Sequence, residues 1–303
     1  MIVHLLLAWD WPYDQPFVRL VRESLACRGL ELLEASPATL PRVLDGLSVG
    51  RYRVGAFWDR AADTNRAFLP LTRWAALNAP LRLNAFEHAR RAWIKTNLHW
   101  ELINAGINTP YTLAVPSYQH APTLEPLDTS PLGLPFSIKP DWGGGGWGVR
   151  TDATRWADVE TARQAMPADD LILQQFIQPA VFRVGPPRRA WFRVLYVCGQ
   201  VFPCWWDDTA RVYLNPVTPA ERFAFALDPL WTITAQIASI ARLDIFSTEI
   251  ALDAGRKFIV VDYANDPVDT RLQSHAPEGV PDEVARQAAE AIGDFVQRGR
   301  LES

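Results

Sequence analysis

Four consecutive glycines, Gly143–Gly146, lie between Trp142 and Trp147 and limit what this part of the chain can fold into more than any other feature. A run without side chains has little tendency to continue a helix or a strand, so a loop is predicted here. Successive glycine N–H groups can surround an anion, and the ammonium group of Lys139 just before the loop would add charge. The alternative is a flexible turn with the tryptophans packed beneath it.

The residues before the loop predict a strand that leads Lys139 to the glycines. In this strand Phe136 and Ile138 face one side, whereas Ser137 and Lys139 face the other. No Gly-Lys-Ser/Thr sequence follows the glycines, which excludes a Walker A loop. A strand-like segment, Val149–Thr151, separates the loop from the next helix pattern, which excludes the dinucleotide-binding glycine motif.

The composition of the 303 residues predicts a self-contained cytoplasmic protein. A hydrophobic share of 49% can fill more than one core, and the length allows two or three lobes. The formal net charge of −4 gives no general basic surface, so no nucleic-acid partner is expected. The apolar start ends at Asp10, too early for a signal peptide or a membrane span, so a buried strand and no membrane partner are expected. Cys27, Cys198 and Cys204 lack metal-site spacing and predict reduced thiols.

Alternating strand and helix patterns in the N-terminal part predict a small, mostly parallel sheet. They are, in chain order, Ile2–Ala8, Gln15–Arg28, Leu30–Leu33, Arg53–Trp58 and Phe68–Leu77. A long helix is predicted over Ala85–Ala105, and a proline-rich connection, Pro116–Pro135, follows it. Later strands are predicted at Pro135–Lys139, Leu171–Ile177, Trp191–Cys198, Gln200–Trp206, Thr248–Leu252 and Phe258–Tyr263. Later helices are predicted at Asp152–Met166, Leu230–Leu243 and Pro281–Arg298, so the predicted fold class combines α/β and α+β.

Two carboxylates interrupt the apolar runs of a predicted hairpin near the C-terminus. They are Glu249 and Asp262, and Asn265 ends the second strand. Such oxygen ligands suit Mg²⁺, which takes one or two carboxylates together with phosphate oxygens. The alternative is an exposed Glu249 and an Asp262 that only caps the following turn.

Polar residues in two other strands each allow two interpretations. Arg193 lies in an apolar strand and needs an anionic partner, either a protein carboxylate or a ligand phosphate. Gln174 and Gln175 offer amide donors and acceptors to a nucleotide base, or they form the polar face of a buried strand.

Taken in chain order from about Ala92 onward, these elements resemble the ATP-grasp superfamily. Five motifs in the family's order carry the resemblance: Lys95 with the turn Ala105–Thr112, Lys139 with the glycine loop Gly143–Gly148, the adenine-hinge strand Gln174–Ile177, Arg193 before Gly199, and Glu249 with Asp262–Pro267.

The resemblance implies an ATP-grasp fold with an N-terminal α/β lobe. Residues 1–90 would form the lobe and 91–303 the ATP-grasp region, divided into a glycine-loop part near 112–178 and a metal-binding part near 179–303. The implied activity is an ATP- and Mg²⁺-dependent ligase. It would phosphorylate a small-molecule carboxylate to an acylphosphate, which an amine-type nucleophile attacks, releasing ADP and phosphate. The alternatives are a small-molecule kinase on the same scaffold and a nucleotide-binding protein with degenerate chemistry.

The same resemblance implies the roles of the site residues. Arg193 and Lys139 would be catalytic: Lys139 would lie toward the phosphates, and Arg193 would neutralise charge on the transferring phosphoryl group or on the acceptor. Glu249, Asp262 and Asn265 would hold the metal. The residues expected to bind ATP are Lys95, Lys139, Gly143, Gly144, Gly145, Gly146, Gln174, Gln175, Phe176 and Ile177.

Three features depart from the family pattern. The metal motif is Asp-x-x-Asn rather than Glu-x-Asn, and strand alternation puts Asp262 and Asn265 on opposite faces unless the strand bulges or ends there. Trp142 and Trp147 either pack the loop or stack on a ligand. The segment Gln178–Ala190 separates the adenine-hinge strand from the arginine strand, and its arginines are either solvated or steer an anionic substrate.

Overall fold

This computed structural model describes residues 1–183 and 187–301 of the chain. The helices are α1 (Gln15–Cys27), α2 (Leu40–Ser48), α3 (Leu69–Asn78), α4 (Phe86–Ala92), α5 (Lys95–Asn104), α6 (Trp156–Ala165), α7 (Pro219–Ala224), α8 (Pro229–Ala241) and α9 (Asp282–Leu301). The strands are β1 (Ile2–Trp9), β2 (Leu32–Ala35), β3 (Arg53–Arg60), β4 (Leu81–Leu83), β5 (Thr112–Val115), β6 (Phe136–Pro140), β7 (Arg150–Ala153), β8 (Leu171–Gln175), β9 (Val181–Phe182), β10 (Arg188–Arg189), β11 (Trp191–Val197), β12 (Gln200–Asp207), β13 (Val212–Pro216), β14 (Ile245–Leu252) and β15 (Phe258–Asn265). Across these two ranges, no helix combines the length and the apolarity needed to cross a membrane.

The single helix predicted over Ala85–Ala105 is wrong, because the segment forms two helices, α4 and α5. Between them Ile94 has extended backbone and forms an isolated antiparallel bridge with Trp142. The carboxylate of Asp141 accepts a hydrogen bond from the Thr96 backbone N–H at 2.7 Å. That N–H belongs to the first turn of α5 and has no partner within the helix, so a distant residue fixes where this helix begins.

The helix predicted from Asp152 begins later, at Trp156. The residues before it form β7, which pairs antiparallel with β6. The carboxylate of Asp158 accepts from the backbone N–H groups of Thr154 at 2.9 Å and Arg155 at 3.2 Å, which caps α6 at its first turn. Short elements such as α2, α7, β4, β5 and β13 are not evident from sequence patterns.

The chain divides into two compact units. The first comprises Met1–Ala89, Leu195–Phe246 and Pro267–Ser303, and the second comprises Arg90–Val194 and Ser247–Asp266. The domain division expected from the sequence, 1–90 and 91–303, stays a prediction. A five-stranded sheet has the order β13-β12-β11-β14-β15, and β9 and β10 form a separate antiparallel pair. Residues 184–186 of the inserted segment Gln178–Ala190 lie outside the described residues.

The first unit contains the parallel sheet β2-β1-β3-β4, so the prediction of a small parallel sheet is confirmed. Buried side chains of this sheet, such as Leu6 and Phe57, share a core with Val43 of α2 and Leu71 of α3. Helices α1 and α9 pack on each other, and α9 also contacts β1 and β3. The sheet thus has helices packed against it, as an α/β arrangement requires.

The second unit contains the antiparallel sheet β5-β8-β6-β7. Phe136 and Ile138 of β6 and Leu173 of β8 share a core with Val159 of α6. Because side chains alternate along a strand, Lys139 lies on the opposite face of β6, as the sequence predicts. The mixed α/β and α+β fold class is therefore confirmed.

A buried polar chain joins three elements of the second unit. The Gln174 side-chain amide of β8 donates to the Tyr263 hydroxyl oxygen of β15 at 2.6 Å. The same hydroxyl lies 2.6 Å from Nδ1 of His99 on α5 and is free to donate to it. All three side chains are buried. Burial lowers the pKa of His99 to about 4, so the imidazole is neutral near pH 7. In the tautomer with the proton on Nε2, Nδ1 accepts from the Tyr263 hydroxyl.

Gly148 is a testable packing constraint of the second unit. It has φ +69°, and a Cβ placed there would lie 2.8 Å from Cγ of Pro140. Gly145 has the same φ but has no atom within 4 Å of such a Cβ. We expect Gly148→Ala to lower the free energy of unfolding by about 1–3 kcal/mol more than Gly145→Ala, because only Gly148 adds overpacking to backbone strain. Urea unfolding of both variants measures this difference, and equal losses would contradict it.

His99 predicts a component of stability that depends on pH. Its pKa is about 4 in the folded chain and about 6.5 when unfolded, so the unfolded chain binds the proton more tightly. The stability due to neutral His99 is complete above about pH 6.5 and is lost as the pH falls towards 4. It amounts to at most about 3 kcal/mol.

We therefore expect the loss of unfolding free energy between pH 6.5 and 4.5 to be smaller in His99→Asn than in the wild type. Asn offers an acceptor oxygen but does not titrate in this range. His120→Asn is the control, since the His120 side chain is 82% exposed. If both variants lose stability over this range as steeply as the wild type, the prediction is wrong.

Candidate active site

The hairpin β14–β15 places the predicted metal ligands together through irregular pairing. Glu249 lies directly opposite Asp262, and Ser247 lies opposite Asn265. Ser247 and Glu249 are two positions apart on β14, but Asp262 and Asn265 are three positions apart on β15. Strand β15 therefore contains an extra residue there, as in a β-bulge. The bulge cancels the alternation that would set Asp262 and Asn265 on opposite faces. The Asn265 side-chain amide accordingly donates to Oδ2 of Asp262 at 2.8 Å.

Glu249 is held by two donors on β11. The Trp191 indole N–H donates to Oε2 at 2.9 Å, and the Arg193 guanidinium donates to Oε1 at 3.1 Å. The Arg193 and Glu249 side chains are each 16% exposed. The anionic partner that Arg193 requires is thus a protein carboxylate, and the alternative of an exposed Glu249 is wrong.

The two facing carboxylates have pKa values shifted in opposite directions. Burial raises the pKa of Glu249, and the Asp262 charge adds to this, against the lowering effect of Arg193. Burial also acts to raise the pKa of Asp262, but Lys139, the Asn265 hydrogen bond and Lys95 together lower it below its usual range. The pKa of Glu249 is thus raised and that of Asp262 lowered, which makes Asp262 the more acidic member of the pair.

Lys139 and Lys95 supply the compensating positive charge. Lys139 donates to the Val261 carbonyl at 3.2 Å. A second register shift lies between Glu249 and Ile250, so Val261 has no residue directly opposite it on β14. Burial lowers the pKa of both ammonium groups, and the Asp262 charge acts in the opposite direction on each. Each lysine is thus partly desolvated and electrostatically coupled to Asp262.

The glycine loop is anchored at its start to the beginning of α5. Nζ of Lys95 donates to the carbonyls of Pro140 at 2.9 Å and Gly143 at 2.5 Å. The Asp141 carboxylate accepts from both the backbone N–H and the hydroxyl of Thr96, each at 2.7 Å. A Cβ at Gly144 would lie 3.8 Å from Oδ1 of Asn265. The loop therefore lies beside the carboxylate hairpin.

The tryptophans of the loop have different environments. Trp142 packs edge-on against Trp93, with ring centroids 5.5 Å apart, and remains 46% exposed. Trp147 is 67% exposed. Neither is buried beneath the loop, so the simple packed turn does not describe it.

The residues predicted for the adenine are only partly brought to this cluster. Gln174 is buried, and its amide nitrogen donates to the hydroxyl of Tyr263, the residue that follows Asp262 in the chain. The Gln175 backbone N–H donates to the Tyr111 carbonyl at 2.9 Å, and its side chain is exposed. Phe176 is 40% exposed and Ile177 is buried.

Sequence reasoning misses several residues that shape the site: Asp141, Trp191, Ser247 and Tyr263. Ser247 receives a hydrogen bond from Arg193 at 3.2 Å, and the others are described above. Asp141 directly follows the Lys139-Pro140 pair, which is a usable signal. The tryptophan, serine and tyrosine resemble ordinary strand residues, because only the pairing of distant strands reveals their partners.

The donor set of the hairpin fits a hard divalent cation. Glu249 and Asp262 offer carboxylate oxygens and Asn265 an amide oxygen, which are the ligands that Mg²⁺ takes alongside phosphate oxygens and water. Within residues 1–183 and 187–301, no three His, Cys, Asp or Glu side chains converge as a metal site. A metal here would therefore depend on Asn265 and on oxygens of a bound phosphate.

A cavity of about 440 Å³ lies elsewhere, in the first unit, and none of the predicted site residues lines it. Arg82, His88, Arg242 and Asp244 are among the residues around it. All of the predicted site residues lie in the second unit. Their convergence, rather than cavity volume, marks the candidate active site.

Comparison with known proteins gives a consistent fold. No family profile and no curated protein matches the sequence. Among solved structures, a RimK domain ATP-grasp protein from Sphaerobacter thermophilus is 22% identical with a TM-score of 0.65, over 97% of this chain and 99% of that one. The macrocyclase MdnC from Microcystis aeruginosa, solved with the precursor peptide MdnA, is 12% identical with a TM-score of 0.67, over 98% and 100%. A D-alanine–D-alanine ligase from Bacillus anthracis, solved with ATP, is 11% identical with a TM-score of 0.62, over 100% and 98%.

These similarities extend over nearly the full length of both chains in each pair. The chain therefore has the ATP-grasp fold.

Proposed function

We propose that this protein is an ATP- and Mg²⁺-dependent ligase that joins a carboxylate to an amine-type nucleophile. The observation that carries the proposal is the convergence, within one compact unit, of two lysines, an arginine and a glycine loop on the Glu249–Asp262 pair. Phosphoryl transfer requires positioning and charge neutralisation rather than a protein nucleophile, and this cluster supplies both. The ATP-grasp fold supports the same reaction class.

In this proposal the triphosphate of ATP takes over contacts that the unit now makes internally. Lys95 binds carbonyls of the glycine loop and Lys139 binds the Val261 carbonyl, and both ammonium groups would turn to phosphate oxygens. The backbone N–H groups of Gly143–Gly146 would lie over the phosphates. Backbone groups near Gln175 and Ile177 would contact the adenine.

The metal would be held by Glu249, Asp262 and Asn265. When bound, Mg²⁺ would neutralise charge on the phosphate oxygens and orient the terminal phosphate for transfer. The bulge that brings Asn265 to Asp262 compensates for the altered Asp-x-x-Asn spacing, so this departure does not support degenerate chemistry. Trp191 and Arg193 would orient the Glu249 carboxylate for this role.

The proposed reaction has two steps. A substrate carboxylate oxygen forms a bond to the γ-phosphorus as the bond to the bridging oxygen of ADP breaks. The amine then attacks the acyl carbon, the bond to the phosphate oxygen breaks, and the amine gives up a proton as the amide and phosphate form. Lys139 and Arg193 would stabilise the negative charge that shifts among the phosphoryl oxygens.

The fold similarities bear on which carboxylates to test. The Bacillus anthracis neighbour is a ligase of D-alanine, and the Microcystis aeruginosa neighbour was solved with a precursor peptide. We propose a small-molecule carboxylate, and a screen that also contains peptides with free carboxylates covers both classes.

The ligase is tested by trapping the acylphosphate. With ATP, Mg²⁺ and a panel of carboxylates, we expect added hydroxylamine to yield a hydroxamate in step with ADP release, because hydroxylamine attacks the activated acyl group. The ferric hydroxamate colour and coupled ADP detection measure the two products. ADP release with a stable phosphoester and no hydroxamate would instead identify a kinase. Binding of ATP without any turnover would identify a nucleotide-binding protein.

The metal assignment is tested by Asp262→Asn, which keeps the side-chain shape and removes the charge. We expect ATP to bind nearly as before, while turnover falls by about 100- to 1,000-fold, the usual loss when one preorganised electrostatic group is removed. Isothermal titration and ADP release measure the two quantities. Asp152→Asn is the control, since the Asp152 side chain is 77% exposed in the same unit. Normal turnover in Asp262→Asn would remove Asp262 from the site.

A further inference from the structure

The tether formed by His99, Gln174 and Tyr263 lies beside the candidate site. Tyr263 directly follows Asp262 on β15, within the bulged stretch between Asp262 and Asn265. His99 is four residues after Lys95 on α5, and Gln174 precedes Gln175 at the end of β8. Three of the elements that carry predicted site residues, α5, β8 and β15, thus each contribute one member of the tether.

The tether acts where the pairing of β15 with β14 is irregular. Register shifts flank Asp262 on both sides, one towards Ser247 and the other towards Ile250. A bulge interrupts the ladder hydrogen bonds that normally hold one strand against its neighbour. The short stretch containing Asp262 and Tyr263 therefore needs other contacts to hold it, and the Tyr263 hydroxyl supplies two of them at 2.6 Å each.

Burial makes these contacts costly to lose. Tyr263 is 3% exposed, and His99 and Gln174 are each 1% exposed. The Gln174 amide nitrogen also donates to the Thr112 hydroxyl at 3.3 Å, while its Oε1 atom has no hydrogen-bond partner in the described part of the chain. Water is excluded from this chain of groups, so nothing replaces the hydroxyl if it is removed.

We propose that Tyr263 is a positioning residue, whose buried hydroxyl sets Asp262 and Asn265 relative to the lysine helix α5 and the strand β8. The inference rests on the proposed function, because it assigns a role in holding the ligands of that site. The Tyr263 hydroxyl contacts His99 and Gln174 rather than the carboxylates of the hairpin. Tyr263 acts through the backbone of β15. Loss of its hydroxyl displaces the Asp262 carboxylate, although all of the predicted metal ligands are still present.

The test compares variants that break or keep the tether. Tyr263→Phe removes only the hydroxyl, and His99→Leu removes its acceptor, whereas His99→Asn offers an oxygen close to the position of Nδ1. We expect Tyr263→Phe and His99→Leu to bind Mn²⁺ more weakly in the presence of ADP, and to lose up to about 100-fold in kcat, the scale of loss caused by misplacement of about 1 Å. His99→Asn should retain most of both. Tyr118→Phe, which removes a hydroxyl from a ring beside Arg163, is the control.

Mn²⁺ binding is measured by electron paramagnetic resonance of the free ion, and folding by circular dichroism at the assay temperature. If Tyr263→Phe does not fold, the His99 pair alone decides the question. A folded variant that only melts earlier, with unchanged Mn²⁺ binding and kcat, would show that the tether is merely structural and overturn the inference. Wild-type protein that binds no Mn²⁺ with ADP would overturn the proposed function itself, and the inference with it.

Discussion

Two carboxylates that face each other across adjacent strands are the constraint on which the second unit depends. Glu249 and Asp262 occupy one register position of a partly buried hairpin, where their mutual repulsion is not screened as it is in water. Positive charge has to approach them, and it comes from three separate elements that carry Arg193, Lys139 and Lys95. The arrangement of β6, β11 and α5 around the hairpin is thus tied to neutralising this pair.

Lys95, one of the cations near the carboxylate pair, also holds the start of the glycine loop in place. Lys95 donates to carbonyls on both sides of Asp141, so it holds the start of the loop against α5. Phosphate oxygens are stronger acceptors for an ammonium group than carbonyls are. Binding of a nucleotide would therefore exchange the internal contacts of Lys95 for ligand contacts, and the loop would be freed from one anchor as it gains another.

The sequence predicts the chemical groups of the site better than it predicts their geometry. Glu249, Asp262 and Arg193 stand out because charges in apolar strands need partners, and the structure pairs two of them directly. The alternation of side chains along β6 also depends only on neighbouring residues, and it correctly predicts that Lys139 lies on the face opposite to Phe136 and Ile138. These inferences need only a few neighbouring residues.

What the sequence does not reveal depends on distant partners. The bulges of β15 arise from pairing with β14, and residue patterns alone place Asn265 on the wrong face. The break between α4 and α5 is set by Trp142 and Asp141, more than 40 residues later in the chain. Tyr263 resembles a core aromatic residue until its hydrogen-bond partners are known. Tertiary contacts override local propensity at each of these points.

The pairing of Trp93 with Trp142 has a practical consequence. One indole precedes the lysine helix and the other adjoins the first glycine of the loop, with their rings in edge-to-face contact. Indole emission responds to the polarity and proximity of neighbouring groups, so displacement of the loop at its base changes the light that these residues emit. The Trp93–Trp142 pair is thus an intrinsic optical probe of displacement at the start of the glycine loop, once its emission is separated from that of the other tryptophans among the 13 in the chain.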